Sequence, residues 1–225
     1  MRKADKFIVC YVTDRRTLES RATPNAEASL TRRIEDAVKA GVDWVQIREK
    51  DLPARSLTDL TREAIARAAI DANERTAAGR ARVLVNDRLD VAWAAAAAGV
   101  HAGESSLPIR ELAEARRRLG REDFLVGASC HSLKGVVRAA EDGADYVFFG
   151  PVFATPSKAS FGAPQGLTKL AQACEAVSIP VIAIGGITVE NAGACGEAGA
   201  AGIAAIRLFQ QSADPAEIVG RLRGR

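Results

Sequence analysis

The chain is poor in the residues from which metal centres, stacking platforms and membrane spans are built. Its 225 residues include two histidines and four cysteines, Cys10, Cys130, Cys174 and Cys195, which lie far apart with no C-x-x-C pair. That distribution argues against a zinc site and for small buried thiols. Cys130 beside His131 is the one pairing to follow, although neighbours on a strand point to opposite faces. Aromatic residues make up 5% of the chain, and none interleaves with the basic runs Arg116–Arg118 and Arg221–Arg225. Base stacking on nucleic acid is therefore not supported. A net charge of +3 is too small to draw a polyanion, and the first basic run follows Glu111 and Glu114 on what reads as a solvated helix face. No apolar stretch approaches the ~20 residues that span a bilayer. The N-terminus, Met1 to Val9, lacks the longer apolar region and small-residue cleavage site of a secretory leader. The expectation is a cytoplasmic protein that engages neither membrane nor nucleic acid.

What the chain does have is a repeated design. Apolar runs alternate with alanine-rich, charge-decorated stretches from one end to the other, the pattern of strands and helices in alternation. Strands are expected near Phe7 to Thr13, Trp44 to Arg48, Arg82 to Asn86, Gly99 to Ala102, Phe124 to Ser129, Tyr146 to Phe149, Val181 to Ile184 and Gly202 to Ile206. Helices are expected over Ala26 to Ala40, Ala54 to Ala78, Arg88 to Ala98, Pro108 to Leu119, Leu133 to Asp142, Leu167 to Val177, Val189 to Ala198 and Pro215 to Arg223. Strands apolar on both faces with helices between them specify a parallel sheet, because parallel strands need crossovers that cover them. The phrases Ala40-Gly, Ala98-Gly, Asp142-Gly and Ala198-Gly place glycine just past a helix end, where a left-handed cap suits it. No linker or composition shift marks a second domain. The reading is an α/β fold, a single TIM (β/α)8 barrel over residues 1–225 with its active site at the C-terminal ends of the strands. A doubly wound open sheet is the competitor. It would gather reactive residues at one switch point, whereas here they follow nearly every strand and surround a ring.

The chemistry of that ring is anion binding. The stretch Gly143 to Lys158 is an apolar run ending in Thr155, Ser157 and Lys158, all donors for phosphate oxygens. Gln46, Arg48 and Lys50 alternate along the end of strand two, so an amide and two cations face one side while Ile47 and Glu49 face the other. A planar fork beside a point charge suits oligophosphate; a surface salt-bridge network with Glu49 and Asp51 is the plain alternative. Asn86-Asp87-Arg88 closes strand three, and Asp87 is placed to hold Mg²⁺ and also to cap the helix that follows, two roles that can coexist. Gly185-Gly186 lets backbone N–H groups approach a ligand after strand seven, where such barrels often bind phosphate. Arg207, after strand eight, either reaches the same phosphate or pairs with Asp214. His101 reads as a structural histidine. His131, beside Ser129 and Ser132, reads either as a general acid or base or as structural.

Six motifs in order at successive strand ends resemble the thiamine phosphate synthase family. They are Gln46-Ile-Arg-Glu-Lys50, Asn86-Asp-Arg88, Gly99-Val-His-Ala-Gly103, Gly150 to Lys158, Pro164-Gln-Gly-Leu167 and Ile184-Gly-Gly-Ile187. That family is a TIM barrel with a close sister group, the TenI-type thiazole tautomerases. The resemblance implies a transferase that joins 4-amino-2-methyl-5-hydroxymethylpyrimidine diphosphate to a thiazole phosphate or its carboxylate, releasing pyrophosphate and forming thiamine phosphate. In the family pyrophosphate leaves first, and the thiazole nitrogen attacks the resulting pyrimidine-methyl cation. Such a reaction asks for stabilisation of departing charge more than for a nucleophile. Carried over by position, the resemblance implies that Gln46, Arg48, Lys50 and Asn86 hold the pyrimidine diphosphate, with Asp87 on Mg²⁺. Ser129 and Lys158 would contact pyrophosphate, and Thr155, Ser157 and the Gly186 backbone would bind thiazole phosphate. Arg48, Lys50, Ser129, Lys158 and His131 are thus the catalytic candidates, the partners are small-molecule substrates, and self-association is left open.

Two positions depart from the family pattern. Gly103-Glu-Ser-Ser106 stands where the family usually reads Gly-Gln-Glu-Asp, so Ser106 replaces the second metal carboxylate and Glu104 is its candidate substitute. Ile206-Arg-Leu208 stands where a Ser-Ala pair usually meets thiazole phosphate, and the charge of Arg207 would replace that contact. Two other functions fit these departures: the tautomerase, whose acid–base position matches His131 and which needs no such metal, and a non-catalytic phosphate-ligand-binding homologue. Retention of Gln46, Lys50 and Asp87, which tautomerases tend to lose, favours the synthase.

Overall fold

The computed structural model describes residues 6–18, 26–72, 81–155 and 163–224. Eight strands, β1 (Ile8–Val12), β2 (Trp44–Ile47), β3 (Arg82–Asn86), β4 (Gly99–Ala102), β5 (Leu125–Cys130), β6 (Tyr146–Phe149), β7 (Val181–Ile184) and β8 (Gly202–Ala205), close into a barrel in sequence order. Every neighbouring pair is parallel, β1 with β8 included. Each strand lies within one residue of its expected ends. The reason is two-sided burial: Val45, Ile47, Val83, Val85 and Val126 face the helices, while Cys10, Val12, Trp44, Leu84, Tyr146, Phe148 and Ile182 fill the barrel. Burying each large side chain stabilises the fold by about 1.5–3 kcal/mol, so a run apolar on both faces has only this kind of position to occupy.

The barrel interior is filled by unequal partners. Tyr146 and Phe148 are fully buried there, and β5 makes room with Gly127. A Cβ at Gly127 would lie 2.1 Å from Tyr146 Cζ.

The helices are α1 (Ala26–Ala40), α2 (Ala54–Ala72), α3 (Leu89–Ala94), α4 (Ile109–Arg118), α5 (Leu133–Glu141), α6 (Gly166–Ala176), α7 (Val189–Glu197), α8 (Arg207–Gln210) and α9 (Pro215–Arg223). Their starts obey capping chemistry. Ser132 accepts from the Gly135 N–H, Thr188 and Asn191 form a reciprocal capping box, and Asp214 caps α9 with Pro215 in its first turn. Residues 73–80, where α2 was expected to continue, lie outside the described residues. The helix expected through Ala98 instead ends at Ala94, and Ala96 takes a left-handed φ of 55°. There the Ala98 N–H donates to Val83 O at 2.8 Å; the sheet outcompetes the helical preference of an alanine run. Gly99 consequently is not a cap but the first residue of β4, where a Cβ would fall 2.3 Å from Leu125 O. The one-turn α8 was not expected. Among the described residues no helix is long and apolar enough to cross a membrane.

Candidate active site

After Asn86 the chain turns sharply, and Asp87 adopts φ 63°, a left-handed conformation costing a non-glycine residue about 1–3 kcal/mol. The turn sends its carboxylate to the loop after β4. Oδ1 accepts the Gly103 N–H at 2.9 Å and the Ser106 hydroxyl, and Oδ2 accepts Asn86 Nδ2 at 2.6 Å. Capping by Asp87 is thereby overturned, since Arg88 is the N-cap of α3 and makes no side-chain cap bond. Burial alone would raise the Asp87 pKa, but the hydrogen bonds from Ser106, Gly103 and Asn86, with the charge of Lys50, outweigh it and hold the group below its ordinary value. The carboxylate is an anion at neutral pH, and an anion only accepts. That polarity is passed on. Asn86 must give its NH₂ to Asp87, so its Oδ1 accepts from Gln46 Nε2 at 2.9 Å. Gln46 is left with a buried Oε1 that has no hydrogen-bond partner among the described residues.

Arg48 and Lys50 follow Gln46 at the rim of β2. The charge of Arg48 is felt by His101 inside the barrel and that of Lys50 by Asp87. Among the described residues the alternative salt-bridge network of Arg48 and Lys50 with Glu49 and Asp51 is not formed, because Arg15 engages both acids. Its guanidinium holds Asp51 at 2.7 and 2.9 Å and Glu49 at 3.3 Å. Glu49, 3% exposed, also accepts from Thr13 Oγ1 at 2.6 Å and Arg15 N at 3.0 Å. Thr13 in turn accepts the Arg48 N–H at 2.9 Å, which ties the rims of β1 and β2 together and fixes the backbone that carries Arg48. The Arg48 guanidinium keeps a loose ion pair, 3.8 Å from Asp14.

His101 is buried and meets the barrel mouth from below. Nδ1 is 3.0 Å from the Tyr146 hydroxyl and Nε2 2.8 Å from Ser129 Oγ, with the Phe148 ring 4.3 Å away, centroid to centroid. Burial pushes its pKa down to about 3, the charge of Asp87 opposing and that of Arg48 reinforcing the shift. It is a neutral histidine, which agrees with the structural reading and adds a function to it: it holds Ser129. His131 is half-buried, and its Nδ1 bonds the Gly150 carbonyl, so Nδ1 carries a hydrogen. Cys130 points the other way, into the layer beneath the helices. Burial, with a contribution from Glu104, pushes its thiol up to about 12, so it is no nucleophile.

On the far side of the ring, the Val152 and Phe153 N–H groups donate to Ile184 O and Gly185 O, binding the loop after β6 to the end of β7. Gly186 is where a Cβ would strike Ala154 O at 2.6 Å, so the close approach these glycines permit includes the neighbouring loop. Thr155 is half-buried on that loop; Ser157 and Lys158 lie outside the described residues. Arg207 opens α8 and is exposed. Its alternative pairing is overturned: Asp214 accepts from the Ala216 and Glu217 N–H groups, and no ion pair joins it to Arg207 among the described residues. Three contributors escaped the sequence reading. Thr13 carries the same signal as the others, a polar residue closing an apolar run, and Arg15 lies just beyond it. Tyr146 has no such signal, because its hydroxyl is embedded in a buried strand.

Among the described residues no cluster of three or more His, Cys, Asp or Glu side chains could hold a metal, and Glu104 is exposed. Asp87 is nonetheless suited to a hard cation. A carboxylate offers about four lone-pair sites, three are occupied by Gly103, Ser106 and Asn86, and one on Oδ2 is left. The donor set fits Mg²⁺ held by one carboxylate together with phosphate oxygens and water.

The profile of the family described as Thiamine monophosphate synthase matches residues 11–209. A putative thiamine-phosphate synthase of Geobacter sulfurreducens is 43% identical over 217 residues, covering 96% of this chain and 92% of that protein. The thiamine-phosphate synthase of Methanoculleus marisnigri is 43% identical over 189 residues, 84% of each. Among solved structures, the thiamine phosphate pyrophosphorylase of Pyrococcus furiosus matches with a TM-score of 0.79 at 29% identity, covering 97% of this chain and 94% of that one. With near full-length coverage and the same barrel, this chain belongs to the thiamine monophosphate synthase family.

Proposed function

We propose that the protein is a thiamine phosphate synthase, condensing 4-amino-2-methyl-5-hydroxymethylpyrimidine diphosphate with thiazole phosphate to give thiamine phosphate and pyrophosphate. The observation that carries this reading is the orphaned Gln46 Oε1. A buried acceptor without a donor costs about 1–3 kcal/mol, and the Asp87–Asn86 chain prevents the amide from turning to relieve it. An aromatic amino group entering the barrel mouth supplies the missing N–H, and Arg48 and Lys50, just past the end of the same strand, suit a diphosphate attached to that ring.

In the condensation the bond between the pyrimidine methylene carbon and a diphosphate oxygen breaks, and its electron pair leaves with the diphosphate. The thiazole nitrogen lone pair then forms the new C–N bond, and nothing is oxidised or reduced. Charge grows on the departing oxygen, so donors already in place lower the barrier. We assign Arg48, Lys50 and Ser129 to the diphosphate, with Lys158 at the released pyrophosphate, and Gln46 and Asn86 to the pyrimidine end. Thr155, Ser157, the Gly186 N–H and Arg207 are assigned to thiazole phosphate. Asp87 would hold Mg²⁺, which supplies charge neutralisation to the leaving group.

One observation favours a second reading. His131, with Nδ1 committed to Gly150 O, has Nε2 free of that bond to accept and return a proton, as a thiazole tautomerase requires. The two are separated by incubating purified protein with both synthase substrates and Mg²⁺ and following thiamine phosphate by chromatography. Product is expected from the wild type and not from Asp87→Ala or Lys158→Ala. No product from well-folded protein, with isomerisation of a thiazole phosphate carboxylate that His131→Ala abolishes, would replace the synthase by the tautomerase. Substrate binding without either turnover would leave a non-catalytic binding protein.

A further inference from the structure

Tyr146, His101 and Ser129 sit on β6, β4 and β5, and closure of the barrel brings them into one chain of hydrogen bonds running from the dry interior to the mouth. Its direction follows from what each member can do. Tyr146 is 1% exposed, and His101 Nδ1 is the one partner of its hydroxyl among the described residues. Were Nδ1 to carry the hydrogen, the phenol hydrogen would have no acceptor in an interior lined by Trp44, Leu84 and Phe148, which is the costly arrangement for a buried donor. The phenol therefore donates to Nδ1. A neutral imidazole with Nδ1 as acceptor carries its hydrogen on Nε2, and Nε2 faces Ser129 Oγ at 2.8 Å. The serine oxygen is then occupied as an acceptor, and its own hydrogen is left to point elsewhere. Ser129 is the only member of the three that is partly exposed, at the C-terminal end of β5.

We infer that Tyr146 and His101 are positioning residues that fix the Ser129 hydroxyl as a hydrogen-bond donor toward the anion bound at the barrel mouth. This rests on the synthase reading, in which that anion is the departing diphosphate. The arrangement differs from a histidine that takes a proton from serine: Nε2 gives rather than receives, so Ser129 is kept from acting as a nucleophile and presents positive charge to a leaving oxygen. Burial supports the assignment by holding His101 neutral and by raising the Tyr146 pKa, so the phenol keeps its proton.

Two measurements test it. The chain has two histidines, so nitrogen–proton NMR of the imidazoles, with His131→Ala for assignment, reads the His101 tautomer directly. The Nε2–H form is expected in the wild type and a shift toward Nδ1–H in Tyr146→Phe. An Nδ1–H tautomer in the wild type would overturn the inference whatever the protein catalyses, and this arm needs no active variant. The second arm is a double-mutant cycle on synthase turnover. Ser129→Ala is expected to lower kcat by about 10²–10³, the usual loss of one preorganised donor, and Tyr146→Phe by about tenfold with KM for the pyrimidine diphosphate little changed. The double variant is expected to be no slower than Ser129→Ala alone. Losses that multiply would show that Tyr146 acts independently of Ser129 and refute the relay. Absence of turnover in the wild type would refute the synthase reading, and the tautomer would still decide the proton order.

Discussion

Replacing His101 with glutamine removes a group that the folded protein keeps neutral at pH values where an unfolded chain has long since protonated it. Burial lowers its pKa from 6.5 to about 3. Between those values the unfolded state binds a proton that the folded state refuses, so stability must fall as pH drops from 6.5 toward 3. At pH 4.5 the wild type stands two units below 6.5, and at about 1.4 kcal/mol per unit this one site removes about 3 kcal/mol of stability relative to neutral pH. Glutamine offers Tyr146 an acceptor and Ser129 a donor but has nothing to titrate. Urea unfolding at pH 7.5 and 4.5 measures the effect on both proteins, and carboxylates common to the two cancel in the comparison. His101→Gln is expected to be the less stable protein at pH 7.5, with the gap narrowing by about 3 kcal/mol at pH 4.5. Equal acid losses in the two proteins would show that His101 is not held neutral, and the proton order inferred for Ser129 would fall with it.

Gly127→Ala drives a Cβ to 2.1 Å from the Tyr146 ring; we expect a loss of about 1–3 kcal/mol, read as a lower urea midpoint with an unchanged slope. Gln46→Leu removes the orphaned acceptor but also takes the Nε2 donor from Asn86 Oδ1, so the two effects on the unfolding midpoint oppose each other, while KM for the pyrimidine diphosphate is expected to rise about tenfold; an unchanged KM would remove Gln46 from the site. Asp87→Asn replaces an acceptor-only group by an amide that also donates, and calorimetry is expected to show that Mg²⁺ no longer strengthens diphosphate binding. Mg²⁺ dependence equal to wild type would place the cation elsewhere.

The barrel was legible because its signal is redundant. Eight runs buried on both faces admit parallel pairing under helices, and their ends fell within a residue of expectation. The failures lie where tertiary hydrogen bonds decide. At Ala94–Ala98 propensity favours helix, yet Ala98 is claimed by the β3 backbone. At Asp87 local sequence offers an N-cap, yet the carboxylate turns to Gly103 and Ser106, which lie on a different strand's loop. Ser106, read from sequence as the loss of a carboxylate, is the donor that helps keep the remaining one ionised. Tyr146 could not be foreseen, because its partner lies 45 residues away and on a strand that it does not pair with.

The two buried chains end in opposite polarities, and that bears on the choice between synthase and tautomerase. One starts from a group that only accepts, ionised Asp87, and ends in an acceptor, Gln46 Oε1. The other starts from a phenol that keeps its proton, Tyr146, and ends in a donor, the Ser129 hydroxyl. A ligand matched to both must bring an N–H to the first and an anionic oxygen to the second. An aminopyrimidine diphosphate has both on one molecule. A thiazole phosphate carboxylate brings anionic oxygens but no amino group, and would leave Gln46 Oε1 without a donor. Sites built to bond a substrate hydrogen reject analogues lacking it by as much as ~10⁴. The orphaned acceptor thus weighs against the tautomerase.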